Sequence, residues 1–437
     1  MHTTEQGGAA RQEAVFPDAE EFSARVRSQG LFAPDEPIFV ARAPGRFDVL
    51  GGIADYAGGL VLGLPIASAT LAAAQVAADG RVTAVSAGRH VAEAADTLAE
   101  TPIEQLAHRF TGSDAWAAYV LGPIALLARE EQLRVTGLRL FITSSIPEGK
   151  GLASSAAVEI SVLHAVAGAL GLRFEPRRLA LLAQRAEHLV ARAPCGAMDQ
   201  MTAAYGKAGH LLALMCRPAQ LIGSVPLPPG LAVWGIDSGV QRAVRDAPYR
   251  HARCAAFMGK ALLDYRDEYL SALDRSNVEL DRLPERMTGA EFLRHHDGVE
   301  DELSSVEPTV DYPVRAATLH AIEERIRVET FLQALDGPIT TRRARLLGKI
   351  MDASHASYSR CGLGLPVTDR IVEAVREAGW KDGLVGARVS GGGSGGALVV
   401  LGREEAEPLV RRISEAFGAG LVGGTSSGAV HFGIRSI

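Results

Sequence analysis

The chain has 437 residues, of which 47% are hydrophobic, 22% charged and 5% aromatic, with 47 glycines; that is enough for two or three domains with a sizeable core, and it excludes a disordered or collagen-like chain. Lys and Arg number 45 against 51 Asp and Glu, a formal charge of −6 with no Lys/Arg-rich block, which argues against a nucleic-acid partner. Cys195, Cys216, Cys254 and Cys361 stand far apart without a C-x-x-C pair, so neither a disulfide framework nor a zinc knuckle is indicated, and a reducing, cytoplasmic setting fits best.

The opening MHTTEQGGAARQE is polar and lacks the apolar core of a secretory signal, so residues 1–14 are expected to fray. Residues 38–41 read as a short strand, followed by the glycine-punctuated APGRFDVLGGIADYAGG and an apolar run over 60–66 that reads as a second strand. Residues 57–78 carry no charge, but Gly63 and Pro65 interrupt them and alanine supplies much of their apolarity, so a membrane-spanning helix is not expected. Residues 138–146 have strand character and PEGKGL breaks them. Val158, Val162, Leu163, Val166 and Leu170 then recur at helical spacing, giving strand, glycine loop, helix.

A second helix begins near Pro176 and ends before Pro194, with Glu187 near its end. The proline- and glycine-rich RPAQLIGSVPLPPG marks a boundary between an N-terminal lobe, residues 15–214, and a C-terminal lobe, residues 230–437. Residues 246–355 are charged and helix-forming; within them HHDGVEDE reads as a solvated loop, with a metal site at His295 and His296 as the lesser alternative. The end returns to strand, loop, strand, helix: GLVGARVS, GGGSGG, ALVVL and EEAEPLVRRISEAF. The class is α+β.

PEGKGLASSA, ending at Ala156, feeds flexible glycines into a helix that opens with Ser154 and Ser155. Freed backbone N–H groups and the helix dipole there favour phosphate, and the hydroxyls suit magnesium; an ordinary capped helix after a turn explains the segment equally well. A P-loop is absent, since no G-x-x-x-x-G-K-[ST] occurs. Gly391, Gly393 and Gly396 match G-x-G-x-x-G, with Glu415 about 20 residues onward, but ALVVL follows as a strand where a dinucleotide fold needs a helix. In APCGAMDQM, Asp199 lies beyond a proline and a glycine, placed either to accept a proton from a substrate hydroxyl or to cap the next helix. Glu187 alone reads as a solvated helix carboxylate, and Arg46 and Asp55 as turn residues with an exposed ion pair.

Taken together, APGRFDVLGGIADY, PEGKGLASSA and GARVSGGGSGG, in this order, resemble the three signature motifs of the GHMP small-molecule kinases. QRAEHLVARAPCGAMDQ, WGIDSGV and APYRHAR make the chain similar to the galactokinase branch, and GGIADY, WAAYV, SYSRCGLG and TDR to the L-arabinokinase group within it. The resemblance implies a two-lobed α+β fold, with a ribosomal-protein-S5-like N-terminal lobe and a ferredoxin-like C-terminal lobe, and ATP and a small sugar meeting in the cleft between them. It implies Asp199 as catalytic base with Arg46 paired to it, and Ser155 and Glu187 as ligands of Mg2+. ATP would lie against Gly149, Gly151, Leu152, Ser154, Ser155 and Ala156, with Trp116 in the adenine pocket. The sugar would meet Asp55, Gly52, Ile53, Gly196, Tyr249 and Asp199, and Gly391, Gly392 and Gly393 would form the third-motif loop. Neither nucleic acid nor membrane is expected as a partner, and the chain is expected as a monomer or homodimer.

One departure bears on the substrate. Galactokinases read G-E-H-T-D-Y where this chain has Gly51, Gly52, Ile53, Ala54, Asp55 and Tyr56. In that branch the Glu-His pair reaches the hydroxyl on the sugar's sixth carbon, while the retained aspartate binds ring hydroxyls. L-arabinose has galactose's ring configuration without the sixth carbon, and a buried carboxylate facing that gap would lose its partner at roughly 1–3 kcal/mol. Phosphorylation of L-arabinose at the anomeric hydroxyl is therefore the favoured reading. Room for a different substituent, and hence a galactokinase or a broader galacto-configured sugar kinase, is the alternative. A catalytically silent sugar and ATP sensor is the alternative of another class, against which Ser154, Ser155 and Ala156 stand intact.

Overall fold

The computed structural model describes residues 18–86, 88–240, 247–267 and 269–437, so the expected tail over 1–14 lies outside it. Strand β1, Phe39–Leu50, runs through the whole APGRF segment, with a register shift between Pro44 and Arg46 where proline and glycine break the ladder. Strand β2, Leu60–Val76, pairs with β1 and absorbs the uncharged stretch. Both strands are longer than the sequence suggested. They are buried on both faces, which replaces the alternation that would have revealed their length with a near-continuous apolar run.

The remaining strands are β3 (Arg81–Ser86), β4 (Arg89–Ala94), β5 (Leu138–Ser144), β6 (His210–Met215), β7 (Gln220–Pro226), β8 (Leu231–Asp237), the short β9 (Met287–Thr288) and β10 (Asp311–Tyr312), β11 (Leu384–Val389), β12 (Ala397–Arg403), β13 (Leu421–Val422) and β14 (Arg435–Ser436). The first sheet has the order β14-β1-β2-β5-β3-β4, with β6 paired to the other half of β2 and β7 to β6. The second has the order β11-β12-β8-β13. The chain passes between sheets from β7 to β8, inside the proline- and glycine-rich segment. It does not stay in the second sheet to its end: Thr425 bridges to Ile66, and β14 pairs with Phe39 and Val40 of β1. The sequence does not foretell this return to the first sheet, because two-residue strands carry no periodic signal.

Helix Ser154–Ala169 packs on β1 and β2 and is buried almost all round, which suits its continuous apolar composition. Helix Pro176–Leu189 starts on Pro176, with Glu175 accepting from the Arg178 N–H as its cap. In the charged region, helices Ala247–Leu262, Val314–Leu335 and Thr341–Arg360 pack together, and the last lies on β11. The apolar core is continuous between the lobes: Leu64 and Ile66 belong to the same cluster as Phe331, Leu347 and Val399. Among the described residues no helix is long and apolar enough to cross a membrane.

Candidate active site

The three glycine-rich segments, far apart in sequence, meet at one point. The Arg46 N–H donates to the Leu152 carbonyl at 3.0 Å, the Ala397 N–H to the Lys150 carbonyl at 2.8 Å, and Lys150 Nζ pairs with Asp237 at 2.9 Å. Between them lies a cavity of about 310 Å³. Of the residues expected from the sequence, Arg46, Gly52, Ile53, Asp55, Trp116, Gly149, Gly151, Leu152, Ser154, Ser155, Glu187, Gly196, Asp199, Tyr249, Gly391 and Gly392 line it. Two do not. Ala156 is buried in the first turn of its helix, and Gly393 sits against Leu363.

Asp199 is the second residue of helix Met198–Tyr205, whose N-cap position is Ala197, so the capping role does not apply. Arg46 is 4% exposed and reaches Asp199, not Asp55. Its Nε and Nη2 donate to the same oxygen, Asp199 Oδ1, at 2.8 and 2.7 Å, and its Nη1 to the Gly151 carbonyl at 2.6 Å. Burial alone would lower the Arg46 pKa, but the charges of Asp199 and Asp48 more than offset it and raise it. No described residue donates to Asp199 Oδ2. The pair thus presents one pinned oxygen and one oxygen able to take a proton.

The second-motif loop turns through left-handed backbone at Gly149, Gly151 and Ala153. Ala153 occupies the N-cap of helix Ser154–Ala169 and no side chain caps it. The capped-helix reading therefore does not hold, and the first-turn N–H groups stand beside the cavity without a protein acceptor among the described residues, the arrangement that binds phosphate.

Glu187 is 2% exposed, not a solvated helix carboxylate. Burial, then the charge of Asp199, pushes it up to about 7, against hydrogen bonds from Cys195, Ser155 and Gln200. Gln200 Nε2 bridges it at 2.7 Å to a second buried carboxylate, Glu159, at 3.1 Å. A buried carboxylate beside Ser155, with no cation paired to it among the described residues, is a hard-oxygen donor set that fits Mg2+. No group of three His, Cys, Asp or Glu suited to a metal occurs among the described residues. His295 and His296 form no such group either, and His296 stacks on Phe292.

Asp55 accepts from the Tyr56 N–H at 2.8 Å, and its pKa is raised to about 6, first by burial and then by Asp199. Gly196 is what admits it: a Cβ there would lie 2.1 Å from Asp55 Oδ2. Gly196→Ala is expected to turn the carboxylate aside at roughly 1–3 kcal/mol of overpacking, a loss that a lowered melting temperature of the variant would register.

Tyr249 lines the cavity, but its hydroxyl donates to the Pro194 carbonyl at 3.0 Å, and Arg253 Nη1 donates to the same carbonyl at 3.1 Å. Arg253 is in turn held by Asp301 through two bonds of 2.8 and 2.7 Å and lies over the Tyr56 ring. Part of HHDGVEDE is therefore buried structure and not solvated loop. Sequence reasoning missed this pair. Tyr249 and Arg253 are four residues apart on one helix face, a legible signal, whereas Asp301 lies 48 residues from its partner with nothing local to mark it.

Gly52 and Ile53 line the cavity in closely packed surroundings. Ile53 is buried with φ +52°, joining a cluster of second-lobe residues. The space beside Gly52 is not open: a Cβ there would lie 1.8 Å from Asp48 Oδ2 and 2.4 Å from the Tyr358 hydroxyl. Asp48 thus takes the volume that a side chain at position 52 would need.

The N-terminal domain model of GHMP kinases matches residues 118–207, the GHMP kinases C-terminal model residues 331–420, and a galactokinase galactose-binding signature residues 29–76. The chain is 35% identical to L-arabinokinase of Arabidopsis thaliana over 94% of its own length and 48% of that protein's, so it spans about half of that relative. It is 30% identical to galactokinase of Roseiflexus sp. (strain RS-1), covering 87% of this chain and 88% of that one. The crystal structure of Lactococcus lactis galactokinase complexed with galactose superposes with a TM-score of 0.74 at 21% identity, covering 93% of this chain and 99% of that one. With nearly the whole of one galactokinase aligned, and the galactose-binding signature falling on the strand that carries Arg46, the chain belongs to the GHMP kinases, a family of phosphotransferases, and within it to the galactokinase branch.

Proposed function

We propose that this chain is an ATP- and Mg2+-dependent sugar 1-kinase acting on the anomeric hydroxyl, with L-arabinose as its preferred substrate. The observation that carries the reading is the Arg46–Asp199 pair, one aspartate oxygen pinned and the other unbonded among the described residues, in the same cavity as the uncapped start of helix Ser154–Ala169. Asp199 Oδ2 takes the proton of the anomeric hydroxyl as that oxygen forms its bond to the γ-phosphorus and ADP departs. Arg46 balances the charge of Asp199 and of the transferring group, which is where phosphoryl transfer needs the protein most. The N–H groups of Ser154, Ser155 and Ala156 hold phosphate, and Trp116 lines the nucleotide end. Ser155 and Glu187 would hold Mg2+, which would supply charge neutralisation at the phosphates when bound. Asp55 accepts ring hydroxyls, and Gly196 and Tyr249 shape its surroundings. Preference for the pentose is supported by Gly52 and Ile53 in the first motif and by the 35% identity to an L-arabinokinase.

The test is ADP release across L-arabinose, D-galactose, D-glucose, D-glucuronate and N-acetylgalactosamine, with the phosphate position read by NMR. Turnover favouring L-arabinose at the anomeric oxygen is expected. Turnover favouring galactose would keep the mechanism and replace the substrate, and binding without turnover would mark a sensor.

The Asp55 pKa of about 6 gives a pH dependence. Ionised Asp55 is the hydroxyl acceptor, so kcat/KM for the sugar should fall as pH drops through about 6 in the free protein, and Asp55→Asn should lose that limb. For stability the sign is opposite. A carboxyl raised from 3.8 to about 6 on folding stabilises the fold below 3.8 and loses that contribution as pH rises through about 6.

A further inference from the structure

Asp48 has no exposed surface, yet it lies against the cavity and is the most fully bonded carboxylate there. Its Oδ1 accepts from Arg388 Nη1 at 3.0 Å and from the Gly52 N–H at 3.2 Å, and its Oδ2 from the Gly391 N–H at 3.1 Å. The Tyr358 hydroxyl lies 3.3 Å from Oδ2 but has one proton, and the Gly391 carbonyl at 2.9 Å is the nearer acceptor. Arg388 is also fully buried, donates to the Asp48 carbonyl at 3.0 Å, and lies over the Tyr358 ring at 4.7 Å. Its Nε and Nη2 find no acceptor among the described residues. Asp48 is therefore, among the described residues, the one carboxylate that neutralises Arg388 by direct contact, and it spans from the strand of Arg46 to the third-motif loop.

Two properties follow. The carboxylate occupies the volume that any side chain at position 52 would need. Its oxygens are already engaged by a charged donor and two backbone donors, so turning toward a substrate hydroxyl would strip the fully buried Arg388 of its counter-charge, a cost that strongly disfavours such a turn. We propose that Asp48 is a specificity-determining residue: it closes the wall beside Gly52 and Ile53 and offers that wall no hydrogen-bond acceptor, so the cavity takes pyranoses bare at the ring edge facing it and discriminates against those carrying an exocyclic hydroxymethyl group. This rests on the sugar-kinase reading above.

The wild-type protein tests it with three sugars that share one ring configuration: L-arabinose, D-galactose, and 6-deoxy-D-galactose, which keeps the sixth carbon without its hydroxyl. A closed wall without an acceptor predicts kcat/KM highest for L-arabinose by roughly tenfold or more, with 6-deoxy-D-galactose at least equal to D-galactose, because the hydroxyl finds nothing to bond. D-galactose exceeding its 6-deoxy form by roughly tenfold would overturn the proposal, since the wall would then be supplying an acceptor. The variant Asp48→Ala combined with Arg388→Met removes the carboxylate without leaving an unpaired cation. It should raise the D-galactose to L-arabinose ratio of kcat/KM by roughly tenfold. A folded double variant with an unchanged ratio would equally overturn the proposal, and if it does not fold, the wild-type comparison decides. Should no sugar be turned over, the kinase reading fails separately, and the same three sugars ranked by calorimetric binding still test the wall.

Discussion

Replacing Asp199 by asparagine is expected to lower kcat by roughly 10²- to 10⁴-fold, the range that a positioned general base contributes, while melting temperature and sugar KM stay close to wild type. The substitution is informative because asparagine keeps Oδ1, the oxygen that receives both Arg46 bonds at 2.8 and 2.7 Å, and changes only the unbonded partner oxygen into an amide nitrogen. The Arg46 side chain is then still seated on the amide oxygen of the variant and on the Gly151 carbonyl, so the fold loses little. Steady-state kinetics with a single-turnover control check the result. A kcat near wild type would remove Asp199 as the base.

Arg46→Ala is expected to cost roughly 10²–10³ in kcat, the scale of losing one preorganised electrostatic donor, with a second effect that the asparagine variant of Asp199 does not have. It deletes the cation from a buried cluster holding Asp199, Asp48 and Asp55, all of which interact electrostatically with Arg46. The charges of Asp199 and Asp48 then act on Asp55 without that cation beside them, and the Asp55 pKa, already raised to about 6, should rise further. The acidic limb of kcat/KM should therefore move to higher pH, and Arg46→Lys, which keeps the charge without the forked geometry, should restore the limb more fully than it restores kcat. An unchanged profile together with an unchanged kcat would take Arg46 out of the mechanism.

The residues around the cavity were legible in the sequence because the segments that carry them are local. Each glycine-rich segment is short, and each brings residues to one cavity. What escaped was set by partners distant in the chain. The length of β2 was hidden because a strand covered on both faces shows no alternation. The burial of Glu187 could not be read from a helix whose other residues are amphipathic in the ordinary way. Arg253, which reaches the Pro194 carbonyl, and Asp301, which holds it there, come from segments with no sequence signal for pairing. Asp48 sat within a motif that was read in full, but its role depends on Arg388, 340 residues on. Gly52 shows the limit most plainly, because nothing in its identity says that Asp48 takes the volume a side chain there would need.

The 1.8 Å approach of a Cβ at position 52 to Asp48 also constrains how this enzyme's substrate preference can change over time. A single substitution at Gly52 collides with Asp48, and a single loss of Asp48 orphans Arg388, so either change alone is expected to leave a less fit protein than its parent. A change of substrate preference routed through these positions would thus cross a valley. A laboratory library saturating position 52 alone should return no improved variants, whereas one randomising positions 48, 52 and 388 together should.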